Sequence, residues 1–487
     1  LPEAAPLTSS LEVLKSTIDR RLVRFILRKL SGRCSKDEKS RLEVALELYT
    51  GVRDKACWTC THIVAPIVRW AVSRGGKAFG VSDEQLKERF KDVYWRRGLV
   101  NVIRGIAKFG VRKPFTPGAP FLVVWNYTQM CNLRCKHCYA SAGKPHPNEL
   151  NTEEAKNVVK ELADTGVTII AFSGGEPLIR KDFFEVAQLA HDYGIFTAVA
   201  TNGTLITEEV AKKLKDIGIG YVQISLDGAT PETHDSFRGL KGVYEKVIRA
   251  IKNCVKQEVF VEVATTATKL TYKEIPEVIE LCERLGVNWW MMYNFVPTGR
   301  GRFIIENDLS PEEREELLRF LWERLRSGKR MQVLSTAPQF ARVALQMERV
   351  YGKGDEEIIV PTHFYNPRLR GQLINLSEFI GGCGAGRFYC AIDPDGTITP
   401  CVFFPLPVGN IKVDDFEELW ETCEVFEHLR NRDLLKGNCG RCEYRYVCGG
   451  CRARAYGYFR DYLAPDPGCI NNRDLWEKLK LADVASH

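Results

Sequence analysis

The chain has 487 residues, 45% of them hydrophobic, enough for a large core and, on length, roughly two to four domains. Its apolar runs, such as "VTIIAF" and "IVAPIV", are far too short to span a bilayer, and the opening "LPEAAPLTSS" lacks the basic and apolar parts of a secretion signal, so the expected compartment is the cytoplasm. Net charge is +7, but residues 1–120 hold 24 Lys and Arg against 12 Asp and Glu, so a segment of +12 precedes a body of −5, an imbalance that suits an anionic partner.

Residues 10–112 read as mostly helical. In "STIDRRLVRFILRKLSG" the residues Ile18, Leu22, Phe25, Ile26 and Leu30 fall on one helical face, with Arg20, Arg24 and Arg28 opposite and Gly32 as a stop. "GLVNVIRGIAKFGVRKP" repeats the pattern, with Val102, Ile103, Ile106 and Phe109 against Arg104, Lys108 and Arg112. Such helices either pack their apolar face on the body and leave the charges in water, or lie in a membrane interface. "CWTC" places Cys57 and Cys60 near His62 and Cys34; core thiols, a redox pair and a metal site all fit, the last only if Cys34 or His62 folds over.

"RKPFTPGAP" is a linker. Beyond it strands are expected at 121–127, 167–172, 195–200, 220–226, 259–264 and 288–293, with helices near 152–165, 180–193, 207–217, 242–256 and 272–285. Continuous apolar strands such as "VTIIAF" and "FTAVA" suit a parallel sheet covered on both faces. Six βα units in series predict an α/β fold, a partial (βα)6 TIM-type barrel, with functional residues at the C-terminal strand ends. The expected division is a basic helical extension over 1–120, the barrel over 121–300, a connector or lid over 301–380, and a small Cys-rich domain over 381–487.

Seventeen cysteines in a cytosolic chain are not explained by disulfides, and their clustering favours metal. Cys254, Cys282 and Cys423 read as scattered structural thiols. Cys131, Cys135 and Cys138 form CX3CX2C directly after the first strand, at the barrel mouth. Three thiolates on one loop suit three irons of a [4Fe–4S] cluster, with the fourth iron open.

This arrangement resembles the radical SAM superfamily over about 121–300. "SGGEPL", "ATNGT", "SLDG" and "HDSFRG" follow the second, third and fourth strands in order. The resemblance implies that the open iron chelates the amino and carboxylate groups of S-adenosylmethionine (SAM), whose reductive cleavage gives a 5′-deoxyadenosyl radical that abstracts hydrogen from an unactivated C–H. It also implies SAM contacts from His137, Tyr139, Gly174, Gly175, Glu176, Pro177, Thr201, Asn202, Ser225, Asp227 and Arg238. His137 stands where the family usually has an aromatic beside adenine, and the bare glycine backbone is expected to let SAM approach. No catalytic acid or base is assigned, because radical abstraction needs none. "MMYNFVPTGRGR" brings Tyr293, Asn294, Arg300 and Arg302 to the sixth strand's end, as substrate contacts or as a turn with solvated arginines.

Downstream, Cys383-X12-Gly396-X4-Cys401 and Cys439-X2-Cys442-X5-Cys448-X2-Cys451, then Cys469, resemble a SPASM domain. That implies two auxiliary [4Fe–4S] clusters, three in all. Cys439, Cys442, Cys448 and Cys469 would hold the outer one. Cys383, Cys401 and Cys451 would hold the inner one, with Cys390 as fourth ligand or an iron left open, since "CGGC" is one residue shorter than the usual pattern.

Three substrate classes stand open. The basic extension and "GIAKFGVRKPFTPGAPFLVVWNYTQMCNLRC" resemble archaeal lipid-modifying radical SAM enzymes, implying C–C bond formation between alkyl chains of a membrane (tetraether) lipid, a protein peripheral on the inner membrane face, and an anionic membrane surface as partner. That reading is favoured. "CGGCRARAYGYFRDYLAPDPGCI" is similar to the alternative-haem-pathway decarboxylases, implying a tetrapyrrole side chain. Peptide or protein maturation is the third. An electron donor such as ferredoxin is expected, and no nucleic acid.

Overall fold

A computed structural model describes residues 19–78, 81–328, 330–351, 358–362, 366, 368–369 and 376–485; Ile18 and the start of the first basic helix lie outside them. Strands β1 (Leu122–Thr128), β2 (Ile169–Gly174), β3 (Phe196–Thr201), β4 (Tyr221–Ser225), β5 (Val261–Ala267) and β6 (Trp289–Asn294) lie side by side in chain order, all parallel. Helices Thr152–Thr165, Phe183–Asp192, Glu208–Asp216, Val243–Lys256 and Ile275–Leu285 connect them, as the apolar periodicity predicts. On β1, Val123 and Trp125 turn into the core under the helices, while Leu122 and Val124 turn into the barrel. The same alternation on every strand gives one dry core and one lined interior.

The sheet runs past the six expected strands at both ends. Within the connector, β7 (Gln332–Ser335) pairs parallel to β6 between helices Pro311–Arg326 and Gln339–Tyr351. Four residues are too few for periodicity to reveal, so what reads as a lid is a seventh barrel unit. Two two-residue strands follow, β8 (Ile358–Ile359) and β9 (Arg368–Leu369), paired antiparallel. On the other edge β10 (Tyr389–Ile392) pairs parallel to β1, and β11 (Thr397–Thr399) and β12 (Gly409–Asn410) continue antiparallel. The Cys-rich segment is therefore not held by metal alone: Ile392, Ile398, Trp420 and Phe426 join the main core.

At the N-terminus α1 (Arg21–Ser31), α2 (Arg41–Thr50), α3 (Ala65–Ala78), α4 (Asp83–Lys91) and α5 (Val93–Phe109) pack around Leu42, Leu46, Tyr49, Val68 and Val100. Several of their cations are engaged within the protein. Arg104 and Lys108 of α5 bind Glu417 at 2.9 and 2.6 Å, Lys108 also reaches Glu421, and Arg112 binds Glu427. Arg24 and Arg28 of α1 donate to the carbonyls of Ala107 and Lys108 at the end of α5, where the helix dipole favours a cation. The apolar face of α1 is turned outward: Leu22, Phe25 and Ile26 are 71, 56 and 45% exposed. Of the two arrangements open to this helix, the inward apolar face is not the one seen at Leu22, Phe25 and Ile26, while Arg24 and Arg28 find carbonyl partners at the end of α5. Among the described residues no helix is long and apolar enough to cross a membrane.

Candidate active site

The loop after β1 is braced from three neighbouring strand ends. After β3, Asn202 Nδ2 donates to Asn132 Oδ1 at 2.8 Å and approaches Cys131 Sγ at 3.9 Å. After β4, Arg238 reaches Cys135 Sγ at 3.7 Å, and Lys136 N donates to Phe237 O. After β6, Arg300 donates to the carbonyls of Cys135 (3.0 Å) and Ala142 (2.6 Å). Arg300 thus shapes the Cys loop while lining the cavity, and Arg302 stands exposed on the surface.

The interior and mouth form one cavity, open to solvent at its entrance. Cys131, Cys135 and Cys138 line it together with Cys383, Cys401 and Cys451. His137, Tyr139, Gly174, Gly175, Thr201, Asn202, Ser225, Arg238, Tyr293 and Asn294 line it too. Its apolar wall includes Phe403 and Met291. Phe403 stacks edge-on with Tyr139 and Tyr293, joining the barrel to the C-terminal segment. Tyr139 OH is fixed by Asn126 and Ser173, each at 2.9 Å.

Three expected SAM contacts act from behind the wall. Glu176 is fully buried; its carboxylate accepts from Thr201 Oγ1 (2.8 Å), Asn202 N (2.8 Å) and Leu178 N (3.2 Å). Burial pushes its pKa to about 7, against the pull of those donors. Glu176 therefore positions the β3 loop, and Pro177 opens the short helix after it. Asp227 is also buried, held by Arg238 Nη2 at 2.5 Å and accepting from Thr266 N. Burial alone would raise its carboxyl; the Arg238 guanidinium above all holds it below the ordinary value. The two glycines answer to the chain itself: a Cβ at Gly174 would meet Thr128 O at 2.6 Å, and one at Gly175 Met130 O at 2.1 Å, so close loop packing demands them before any ligand does. His137 stacks flat on Phe237 at 4.1 Å, and burial lowers its pKa to about 3, leaving it neutral.

The four cysteines of the expected outer site gather: Cys439, Cys442, Cys448 and Cys469 line one small pocket beside Arg342. Cys390 does not join Cys383, Cys401 and Cys451. It follows Tyr389 on β10, so strand alternation turns it into the core under the helices, where it is fully buried. Tyr389 faces the cavity instead, its OH 3.4 Å from Cys401 Sγ. The expectation that Cys390 completes the inner set fails on this geometry, and three cysteines remain.

Backbone N–H groups point at the thiols: Leu133 to Cys131, Ala142 to Cys138, Gly450 to Cys448 and Asp466 to Cys439, all at 3.3–3.4 Å. Burial raises the free thiols, Cys131 to about 11 and Cys401 and Cys469 to about 12. Aimed donors around buried sulfurs suit thiolates neutralised by iron, so the residues fit Fe–S clusters. When bound, SAM on a reduced cluster supplies a 5′-deoxyadenosyl radical; the surrounding residues orient it and exclude water.

Two features escaped the sequence reading. Gln223 of β4 and Glu262 of β5 hydrogen-bond inside the barrel, and Tyr293 OH donates to Gln223 at 3.0 Å. A long polar side chain, Gln223 or Glu262, on the inward side of "YVQIS" and "VEVATTA" was the available signal. A buried network of Arg314, Asp308, Arg454 and Asp466 also ties the end of the barrel to the C-terminal cysteines. Its members lie too far apart in sequence to form a motif.

Residues 125–286 match the radical SAM superfamily and residues 383–443 the SPASM iron–sulfur cluster-binding domain. The chain is 39% identical over 353 residues to the AdoMet-dependent heme synthase of Methanosarcina barkeri, 72% of this chain and 97% of that protein. It is 31% identical over 357 residues to the pre-heme d1 synthase of Dinoroseobacter shibae, covering 72% and 85%. Its fold is shared by Streptococcus suis SuiB bound to S-adenosylmethionine, with a TM-score of 0.60 and 14% identity over 88% of this chain and 92% of that one. A cluster loop braced from three strand ends, a second cysteine set on the same cavity and this likeness agree: the chain is an enzyme and belongs to the radical SAM superfamily, in the group that carries a C-terminal SPASM domain.

Proposed function

We propose that the enzyme modifies a side chain of a tetrapyrrole, abstracting hydrogen so that a carboxyl group leaves as CO2 and the electron left over passes to an iron–sulfur cluster. The observation that carries this is the 39% identity spanning 97% of a haem synthase. A single aromatic-walled cavity between two cysteine sets supports it, since a flat macrocycle could lie against Tyr139, Tyr293 and Phe403. This reading replaces the expected lipid as the first choice. Its test is anaerobic incubation with SAM, a low-potential reductant such as a ferredoxin, and an iron porphyrin bearing propionates. A shifted Soret band and SAM-dependent release of CO2 are expected; a porphyrin that neither binds nor changes mass would sink it.

A second reading, a membrane lipid joined at unactivated carbons, has its own support. Among the described residues the arginines lining the cavity, Arg238 and Arg300, are already engaged within the protein, which suits an apolar substrate better than a polyanion. The outward face of α1 adds an apolar surface. Sedimentation with vesicles discriminates: binding lost in Phe25→Glu favours the lipid, and no binding to vesicles of any charge removes it.

A further inference from the structure

Cys34, Asp37, Cys57 and Cys60 bring one ligand atom each within 4.8 Å of one another. Cys34 begins the loop between α1 and α2. That loop is closed by Cys34 N→Lys39 O at 2.7 Å and Glu38 N→Cys34 O at 2.8 Å. Cys57 and Cys60 open the helical segment leading into α3, and Cys60 N donates to Cys57 Sγ at 3.4 Å. Asp37 locks the two pieces together, its carboxylate accepting from Cys57 N at 3.2 and 3.3 Å. His62 is exposed, its ring 5.5 Å from that of Trp58 and tilted to it, outside the group.

The spacing is Cys-X2-Asp-X19-Cys-X2-Cys, a two-knuckle zinc pattern with one cysteine replaced by aspartate. Tetrahedral Zn–S bonds of about 2.3 Å set sulfurs roughly 3.8 Å apart; Cys34 Sγ and Cys57 Sγ are 3.6 Å apart. An Fe4S4 cubane spreads its thiolates more widely, and among the described residues none of the expected cluster sets gathers this tightly. Three thiolates and a carboxylate on a divalent ion leave a net −2, which Arg53, 3.4 Å from Asp37, partly offsets. The local core is small, Cys34, Val44 and Cys60 with a few partly buried neighbours, the setting in which a structural metal adds most.

We propose that these four residues form a mononuclear, tetrahedral site for a divalent thiophilic metal, with zinc as its representative, which staples the α1–α2 loop to the start of α3. Filling it expels the thiol protons. The site stands apart from the catalytic cavity and does not depend on the substrate reading above.

The test uses the full chain, handled anaerobically with reductant, exposed to Zn2+ and desalted. About one zinc per chain is expected, with X-ray absorption at the zinc edge giving three sulfurs at about 2.3 Å and one oxygen at about 2.0 Å. Asp37→Cys should retain zinc with four sulfurs, and Cys57→Ser/Cys60→Ser should lose it while iron content stays unchanged. Less than a tenth of an equivalent of zinc in the wild type, a zinc edge without sulfur, or a Cys34–Cys57 disulfide in the reduced preparation would overturn the proposal. The absorption measurement stands on the wild-type chain, so a misfolded variant does not blur the outcome.

Discussion

Arg238 stands 2.5 Å from Asp227 and 3.7 Å from the Cys135 sulfur, so one buried cation serves a carboxylate behind the cavity wall and a thiol on the cluster loop. Arg238→Ala leaves Asp227 buried without its partner and should cost on the order of 3–5 kcal/mol. Arg238→Lys keeps the charge but loses the two-pronged reach. The alanine variant should show the larger fall in melting temperature, and both should make less 5′-deoxyadenosine; a lysine variant as active as wild type would mean that charge alone suffices.

The cysteines make contrasting predictions. Cys135→Ala should abolish 5′-deoxyadenosine formation and lower iron by about one cluster's four atoms. Cys390→Ala should leave iron content and SAM cleavage unchanged, because its thiol faces the core under the helices. Cys401→Ala should lower iron. Iron analysis of the three proteins decides; iron loss in Cys390→Ala would restore it as a ligand.

Glu262 is buried in the barrel with Gln223 as its hydrogen-bond partner, and burial lifts its pKa to about 7. The folded value lies above the unfolded one of about 4.3. Between those values the folded state binds more protons, so this residue's contribution to stability falls as pH rises through the window and stays low above it. Glu262→Gln should therefore raise the melting temperature at pH 8 more than at pH 5, by an effect on the order of 2–3 kcal/mol. Equal shifts at both pH values would refute the buried-carboxyl account.

Asp308 lies between Arg314 (2.6 Å) and Arg454 (3.2 Å), with no exposure of any of the three beyond a trace. Asp308→Asn removes the charge that both arginines answer, and should destabilise by about 3–5 kcal/mol. Urea unfolding followed by tryptophan fluorescence measures it; a loss below about 1 kcal/mol would show water compensating the arginines.

The barrel was legible because each strand carries its own signal, and the Cys loop because CX3CX2C stands at a strand end. The cluster-binding cysteines were legible as spacing. What spacing could not give was direction. Cys390 reads like its neighbours until strand parity turns it away. Glu176 and Asp227 sit in recognisable motifs, yet their carboxylates answer buried donors from β3, β5 and the helix ending at Arg238. The basic helices show the same limit: helical periodicity locates Arg24, Arg28, Arg104 and Lys108, but only the fold sets them against carbonyls and the glutamates near 417–427.

The pairing of β10 with β1 has a further consequence. Leu122↔Tyr389 and Val123↔Cys390 are register partners on a shared rigid ladder, so the cavity chemistry of the C-terminal segment is written as parity. Shift that strand by one residue and Cys390 would enter the cavity while Tyr389 left it, exchanging a phenol for a thiol beside Cys401. In evolutionary terms, a single insertion before β10 could change the equipment of this site without touching any of the cysteines that name it.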